Sequence, residues 1–189
     1  MAHLFHDYAG CLTVDAGASS YSAFMTGGQD SPTVLLARAL ATRDEEERAA
    51  IVAQLHARTD RAAFEGACAL ARSGGLAERV LGLEILGQIG YPAGRPFLED
   101  TLPVVLACCG DDRPEVLASA IIALGHLADT RALPTVLARV AHPSEEVRFA
   151  VAFALPSAAG DPPAGEAAAA LVSLTRDPDP DVRDWRRWA

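Results

Sequence analysis

Two short stretches of the sequence have residue types and spacing that could bind a metal ion. The run DPDPD, from Asp177 to Asp181, alternates carboxylates as half of a calcium loop does. It lacks the glycine and the distal glutamate that complete an EF-hand loop. In HLFHD, His3 and His6 could place two imidazoles near one ion. A turn with a helix N-cap explains the first stretch and solvation explains the second, so we expect no metal ion and no cofactor.

The sequence also lacks the patterns of nucleophilic catalysis. It has no G-x-S-x-G elbow and no glycine-rich phosphate loop, and SGG at 73–75 is typical of a turn that ends a helix. The cysteines, Cys11, Cys68, Cys108 and Cys109, have no C-x-x-C metal spacing, and two of them lie in apolar helical runs where a reduced thiol is usual. The N-terminus has no signal-peptide pattern. We therefore expect a cytoplasmic protein that is not an enzyme.

The charge of the chain limits its partners. All 16 basic residues are arginine, against 25 acidic residues, and the net charge is −9. Contacts to phosphate need a positive surface, so we expect neither nucleic acid nor an anionic membrane as a partner. No run of apolar residues approaches the length of about 18 that a membrane span needs. The charge fits a basic protein partner, and it fits simple solubility as well.

Hydrophobic spacing predicts short helices over most of the chain. Apolar residues recur at helical intervals, and clusters of Gly, Pro or Asp interrupt them about every 12 to 20 residues, which leaves pieces for about ten helices. Residues 1–31 differ, because they are rich in Gly, Ser and Tyr and have no helical period. We expect an irregular N-terminal arm over residues 1–31 and a helical repeat domain over residues 32–189.

Five stretches align with one another as internal repeats. They are ERAAIVAQLH from Glu47, ERVLGLEILGQIG from Glu78, VLASAIIALGHLA from Val116, VRFAVAFALPSAA from Val147 and VRDWRRWA from Val182. Their second positions are 31, 38, 31 and 35 residues apart. In the first four copies the fifth position is uncharged and the ninth is Leu, one turn further along the same helix face.

The aligned copies indicate where helices begin and where they meet. Gly82 and Ala120 occupy the fifth position, where we expect neighbouring helices to approach most closely, and Gly87 and Gly125 follow the repeated Leu. Asp, Pro or Ser just ahead of several copies is typical of a helix N-cap. Another apolar helix precedes each copy, as ALPTVLARVAH does at 132–142. The unit is a helical hairpin, which buries its apolar face only in a stack.

These repeats resemble HEAT repeats. The likeness lies in PSEEVRFAVAFAL and DPDPDVRDWRRWA, which follow the helices LARVAH and LVSLTR, and the short period is similar to that of the phycobilin-lyase type. It extends over about residues 33–189 and is strongest after residue 76. The resemblance implies an all-α fold, an α-solenoid in which about five HEAT-like hairpins form a right-handed superhelix. It also implies that the second helix of each hairpin lines the concave face.

The resemblance further implies a ladder between repeats, formed by an Asp in the turn and the Arg that follows Val. Asp177 and Arg183 fit this pattern. Arg79 and Arg148 have no Asp at the corresponding place in their own turns, so the ladder is incomplete. Burial of apolar surface dominates the stability of such a fold, so the fold does not depend on a complete ladder.

Enzymes of this architecture have signatures that the sequence lacks. The di-iron hydroxylases need His-Glu pairs on successive helices, and none of the five histidines is followed by Glu. These histidines are His3, His6, His56, His126 and His142. Helical-repeat DNA glycosylases have a basic groove, whereas this chain is acidic. The resemblance therefore implies a non-catalytic module.

The third and seventh positions of the second helices are expected on the concave face. They include Glu84, Ile122, Phe149, Phe153, Asp184 and Trp188. An aromatic stripe with an acidic rim is typical of a groove that binds protein, although the Phe pair equally fits ordinary core between repeats. We expect a protein-interaction module, such as an adaptor, scaffold or inhibitor, that holds a basic protein partner. The alternative is a lyase-like or accessory protein that holds a small ligand or a modified polypeptide in the groove.

Overall fold

The computed structural model describes residues 30–163 and 165–185, and over these residues the chain forms α-helices, two short 3-10 helices and no strand. The α-helices are α1 Pro32–Ala41, α2 Glu45–His56, α3 Arg61–Ala71, α4 Leu76–Gln88, α5 Leu98–Cys108, α6 Pro114–Leu127, α7 Leu133–Leu137, α8 Glu145–Ala159, α9 Gly165–Leu174 and α10 Pro180–Arg183. The 3-10 helices are Tyr91–Ala93 and Thr130–Ala132. The prediction of an all-α fold is confirmed. The arm predicted over residues 1–31 lies almost wholly outside the described residues and stays a prediction.

Short polar side chains start several of the helices, as the repeat pattern indicates. The Asp44 carboxylate accepts hydrogen bonds from the Glu46 and Glu47 N–H groups at 2.9 and 3.1 Å. Asp179 does the same for α10, where it accepts from the Asp181 and Val182 N–H groups at 2.9 and 3.1 Å. These bonds satisfy donors that have no partner inside a helix. The middle aspartate of DPDPD is therefore an N-cap.

The helices form five consecutive hairpins that stack in two layers. The second helices pack side by side in the order α2, α4, α6, α8 and α10, and α1, α3 and α5 pack in the same way in the other layer. The two helices of each of the first four hairpins pack on each other, whereas α9 and α10 both pack on α8. The apolar core lies between the layers. The predicted α-solenoid is confirmed, while the hand of its superhelix stays a prediction.

Glycines allow the closest approaches between the helices. A Cβ on Gly82 of α4 would lie 2.4 Å from the Ala71 backbone nitrogen at the end of α3. A Cβ on Gly87 would lie 3.1 Å from the Cα of Ala123 on α6, and one on Gly125 would lie 2.8 Å from the Cα of Ala154 on α8. Real Cβ atoms need more space than the first and third of these positions offer. The missing side chains therefore set the spacing of α3, α4, α6 and α8.

The Asp–Arg ladder runs from one repeat to the next, not within one repeat. Arg79 of α4 contacts the Asp111 carboxylate ahead of α6 at 3.2 Å. Arg148 of α8 donates two hydrogen bonds, at 2.8 and 3.0 Å, to the Asp177 carboxylate ahead of α10. The predicted pairing of Asp177 with Arg183 is wrong in its detail, because Arg183 donates to the Asp177 carbonyl oxygen at 2.6 Å. The buried Asp177 carboxylate is thus paired with Arg148 of the preceding repeat.

We predict that Gly82→Ala destabilises the fold. Its Cβ would clash with backbone atoms of α3, which cannot move aside as a flexible side chain does. Overpacking of this kind costs about 1–3 kcal/mol or more, and it opposes the gain of about 1 kcal/mol that alanine has over glycine inside a helix. We expect a lower midpoint of denaturant unfolding, measured by circular dichroism.

Gly74→Ala is the matched control, because no atom lies within 4 Å of its added Cβ. We expect its midpoint to equal or exceed that of the wild type. Equal midpoints for both variants would show that the α3–α4 contact tolerates a methyl group.

Candidate functional site on the inner face

The second-helix layer has one side that points away from the first helices, and we call this side of α4, α6 and α8 the inner face. On α6 the opposite side is core, where Val116, Ala120 and Leu124 are fully buried. Residues spaced by three, four or seven share one side of a helix. By this spacing and the contacts described below, the inner face comprises Glu84 of α4, Glu115, Ile122 and His126 of α6, and Glu146, Phe149 and Phe153 of α8.

The predicted apolar stripe is present on the inner face but is largely closed to solvent. Ile122 and Phe149 are only 4% and 7% exposed. Phe153 is half-buried and meets the His126 ring edge to face, with ring centroids 5.1 Å apart. Phe153 therefore offers more apolar surface than the other two side chains. The role of all three as partner contacts stays a prediction.

The predicted acidic rim is not built as expected. The Glu84 carboxylate forms an ion pair with Arg48 of α2, and its side chain is only 12% exposed. Its charge is therefore balanced inside the protein. Asp184 lies exposed just after α10, where its N–H donates to the Pro180 carbonyl oxygen. Trp188 lies outside the described residues.

Two other carboxylates supply acidic charge on the inner face. Glu115 and Glu146 stand in the first turns of α6 and α8, and over the described residues neither carboxylate has a hydrogen bond or an ion pair. Burial raises the pKa of Glu146, and the charges of Glu115 and Glu145 raise it further. The positive N-terminal ends of the two helices offset part of the repulsion. The pair is thus a negative site whose carboxylates have no direct partner over the described residues, although the charge of Arg113 acts on Glu115.

The sequence contains a signal for this pair, although neither residue stands at the third or seventh position of a repeat copy. Each of the two residues stands directly before the Val that begins a repeat copy. The same position is acidic in two further copies, as Glu46 and Asp181. An acidic residue there is also expected for any helix N-terminus. Only the contact between the helices shows that the charges of Glu115 and Glu146 act on each other.

Arg95 binds at the C-terminal ends of the second helices, opposite the end that carries Glu115 and Glu146. Its guanidinium donates to the Gly87 carbonyl oxygen of α4 at 2.9 Å and to the His126 carbonyl oxygen of α6. It also lies 4.8 Å from the centroid of the exposed Tyr91 ring. The last carbonyl groups of a helix have no partner within it, and they attract cations. Arg95 therefore ties the C-terminal ends of two parallel helices together.

Two imidazoles are buried next to Arg95. The His56 Nε2 lies 3.2 Å from the Glu84 carbonyl oxygen and donates to it, whereas the buried Nε2 of His126 has no hydrogen-bond partner over the described residues. Burial lowers the pKa of each ring to about 4, and the positive charge of Arg95 acts in the same direction. Both rings are therefore neutral at pH 7.

The part of the chain that the structure describes contains no group of three His, Cys, Asp or Glu side chains arranged to hold a metal ion. Its three cysteines, Cys68, Cys108 and Cys109, are free and buried, and burial raises the pKa of the Cys109 thiol to about 12. Among the described helices, none combines the length and the apolar character that a crossing of the membrane demands. His3, His6 and Cys11 lie outside the described residues.

Residues 102–189 match the family model for HEAT repeats, a segment that starts within α5 and includes α6, α8 and α10. The predicted resemblance to HEAT repeats is confirmed for this segment. The likeness to the phycobilin-lyase type stays a prediction. No curated protein matches the chain.

We predict that acid lowers the free energy of unfolding, because the two buried imidazoles have lowered pKa values. Their pKa values lie below that of an unfolded histidine, so the unfolded chain binds more protons between about pH 6.5 and about pH 4. Stability is then complete above the unfolded pKa and is lost as the pH falls through this window. Each ring contributes up to about 1.4 kcal/mol per pH unit. Urea unfolding at intervals from pH 7.5 to 4.5 measures this slope.

His126→Leu isolates one of the rings, because leucine fills the space and does not titrate. We expect the variant to lose a large part of the pH slope, whatever its stability at pH 7. A slope equal to that of the wild type would exclude His126 as a source of the acid sensitivity.

Proposed function

We propose that this chain, which consists of HEAT repeats from residue 102 onward, is a non-catalytic protein-interaction module that binds a basic protein segment on its inner face. HEAT repeats commonly bind proteins, and stacked repeats present extended surfaces for this purpose. The proposal includes the expectations of a cytoplasmic location and of no nucleic-acid partner. An adaptor, a scaffold and an inhibitor would all use the face in this way.

The observation that supports the proposal is the pair of Glu115 and Glu146, whose carboxylates have no hydrogen bond or ion pair over the described residues. Two carboxylates on neighbouring helices, one of them with a raised pKa, repel each other until a cation lies between them. Phe153, seven residues beyond Glu146 on the same side of α8, offers partly exposed apolar surface. An arginine or lysine side chain combines a cation with an apolar stem, so it matches both features.

Ion pairs elsewhere explain why this pair stands out. Arg48 balances Glu84, Arg148 balances Asp177, and Arg79 shares Asp111 with Arg113. None of these arginines forms a hydrogen bond or an ion pair with Glu115 or Glu146, although the charge of Arg113 acts on Glu115. A partner that brings its own positive charge would gain an attraction that the chain itself does not supply, and the attraction would weaken with salt.

We predict that Glu115→Gln/Glu146→Gln abolishes much of the partner binding. The purified chain is used as bait in extract from its own cells, the retained protein is identified, and its affinity is measured with the isolated partner. We expect the double variant to bind at least tenfold more weakly, a loss of about 1.4 kcal/mol. We also expect Phe153→Ala to weaken binding and rising salt to weaken the wild-type complex.

Asp112→Asn/Glu166→Gln is the control, since it removes the same charge at two exposed positions outside the inner face. We expect this variant to bind as the wild type does. An equal loss of affinity in both double variants would show that net charge, and not the inner face, determines binding. Copurification of a chromophore or another small molecule, with no protein retained, would favour the alternative of a ligand-holding accessory protein.

A further inference from the structure

A cleft of about 310 Å³ lies between the end of α3, the start of α4 and α5, outside the inner face. Its lining residues are Arg72, Arg79, Pro103, Val104, Ala107 and Cys108. One wall is apolar and comes from α5, and the opposite wall carries two guanidinium groups. The volume is at the small end of the range for sites that bind small molecules.

The two guanidinium groups retain hydrogen-bonding capacity. Arg72 follows the last residue of α3 and is exposed, and over the described residues its guanidinium has no hydrogen bond and no ion pair. Arg79 contacts Asp111 through one terminal nitrogen at 3.2 Å. Its Nε is buried and has no hydrogen-bond partner within the described part of the chain. Buried donors without a partner are rare in folded proteins and call for an explanation.

The Asp111 carboxylate beside the cleft does not provide hydrogen-bond acceptors for all the donors of Arg72 and Arg79. Asp111 accepts two hydrogen bonds at 3.0 Å from the Arg113 side chain, and this fork is the main reason that the pKa of Asp111 is lowered to about 2. Glu78, in the first turn of α4, has its carboxylate over the backbone of Gly75. Arg79 and Arg113 therefore share one carboxylate, and Arg72 has no carboxylate partner over the described residues, in a chain whose net charge is −9.

We propose that this cleft binds a carboxylate carried on a short aliphatic group. Arg72 would hold the carboxylate, because a guanidinium matches the geometry of a carboxylate with two parallel hydrogen bonds. Arg79 would contribute its free Nε–H, and Val104, Pro103 and Ala107 would contact the aliphatic part. The proposal does not depend on the inner face, because none of the lining residues of the cleft belongs to it.

Two sources of this chemistry exist, the C-terminal residue of a polypeptide and a free small carboxylic acid. N-acetyl-alanyl-leucine serves as the probe for the first source and 4-methylpentanoate as the probe for the second. Each is titrated into the full chain, and binding is followed by calorimetry and by the NMR signals of the arginine Nε–H groups. The C-terminal amide of the dipeptide is the control without a carboxylate, and inorganic phosphate is the control for binding of any anion.

We expect the dipeptide acid to bind saturably, and its amide to bind at least tenfold more weakly. Arg72→Gln should weaken the acid by a similar factor and leave the circular dichroism spectrum unchanged, because this side chain is exposed. Arg176→Gln is the control, since Arg176 is an exposed arginine outside the cleft. Binding of 4-methylpentanoate as well would identify the site as one for free acids, and binding of the dipeptide alone as one for chain termini.

Equal binding of acid and amide would overturn the proposal. So would the absence of saturation by either acid at 20 mM or more, unchanged binding by Arg72→Gln, or phosphate binding as tight as that of the acids.

Discussion

The close approach of α4, α6 and α8 is the constraint on which the rest of the structure depends. A helical hairpin cannot bury its apolar side alone, so the second helices must pack on one another. Gly87 lets α4 pack closely on one side of α6, and Gly125 lets α8 pack closely on the other side, so that neither contact has room for an added methyl group without some shift. This spacing crowds the inner face. It explains why side chains as large as Ile122 and Phe149 are almost fully buried there.

Parallel packing of the second helices also determines which charges meet at the two ends of the layer. The N-terminal ends lie together, where the helix dipoles favour the acidic residues of the first turns, and Arg79 and Arg148 form ion pairs at the same end. The C-terminal ends lie together as well, and Arg95 bridges the last carbonyl groups of α4 and α6. Burial lowers the pKa of the nearby imidazoles of His56 and His126, and the positive charge of Arg95 lowers it further, so both rings are neutral.

The repeat pattern predicted the parts of the structure that depend on local sequence. Aligned copies identified the second helices, their caps and the small residue of Gly82, because these features recur at fixed positions. The pattern could not show which carboxylates are neutralised, since Glu84 meets an arginine that lies 36 residues earlier in the chain. The sequence alone fits Phe149 and Phe153 either as groove residues or as core, because the burial of a side chain depends on the distance between helices.

The acidic pair on the inner face and the gap in the ladder have a common cause. Where α4 and α8 carry Arg79 and Arg148, α6 carries Leu117, and the turn of the next repeat has His142 where an Asp would complete a rung. No rung therefore joins α6 to the turn ahead of α8, and Arg148 forms its ion pair with Asp177. Glu115 and Glu146 lie at this step, where the repeat lacks the Asp–Arg rung that joins its neighbours. Departures of this kind make the surfaces of otherwise similar repeats differ in charge.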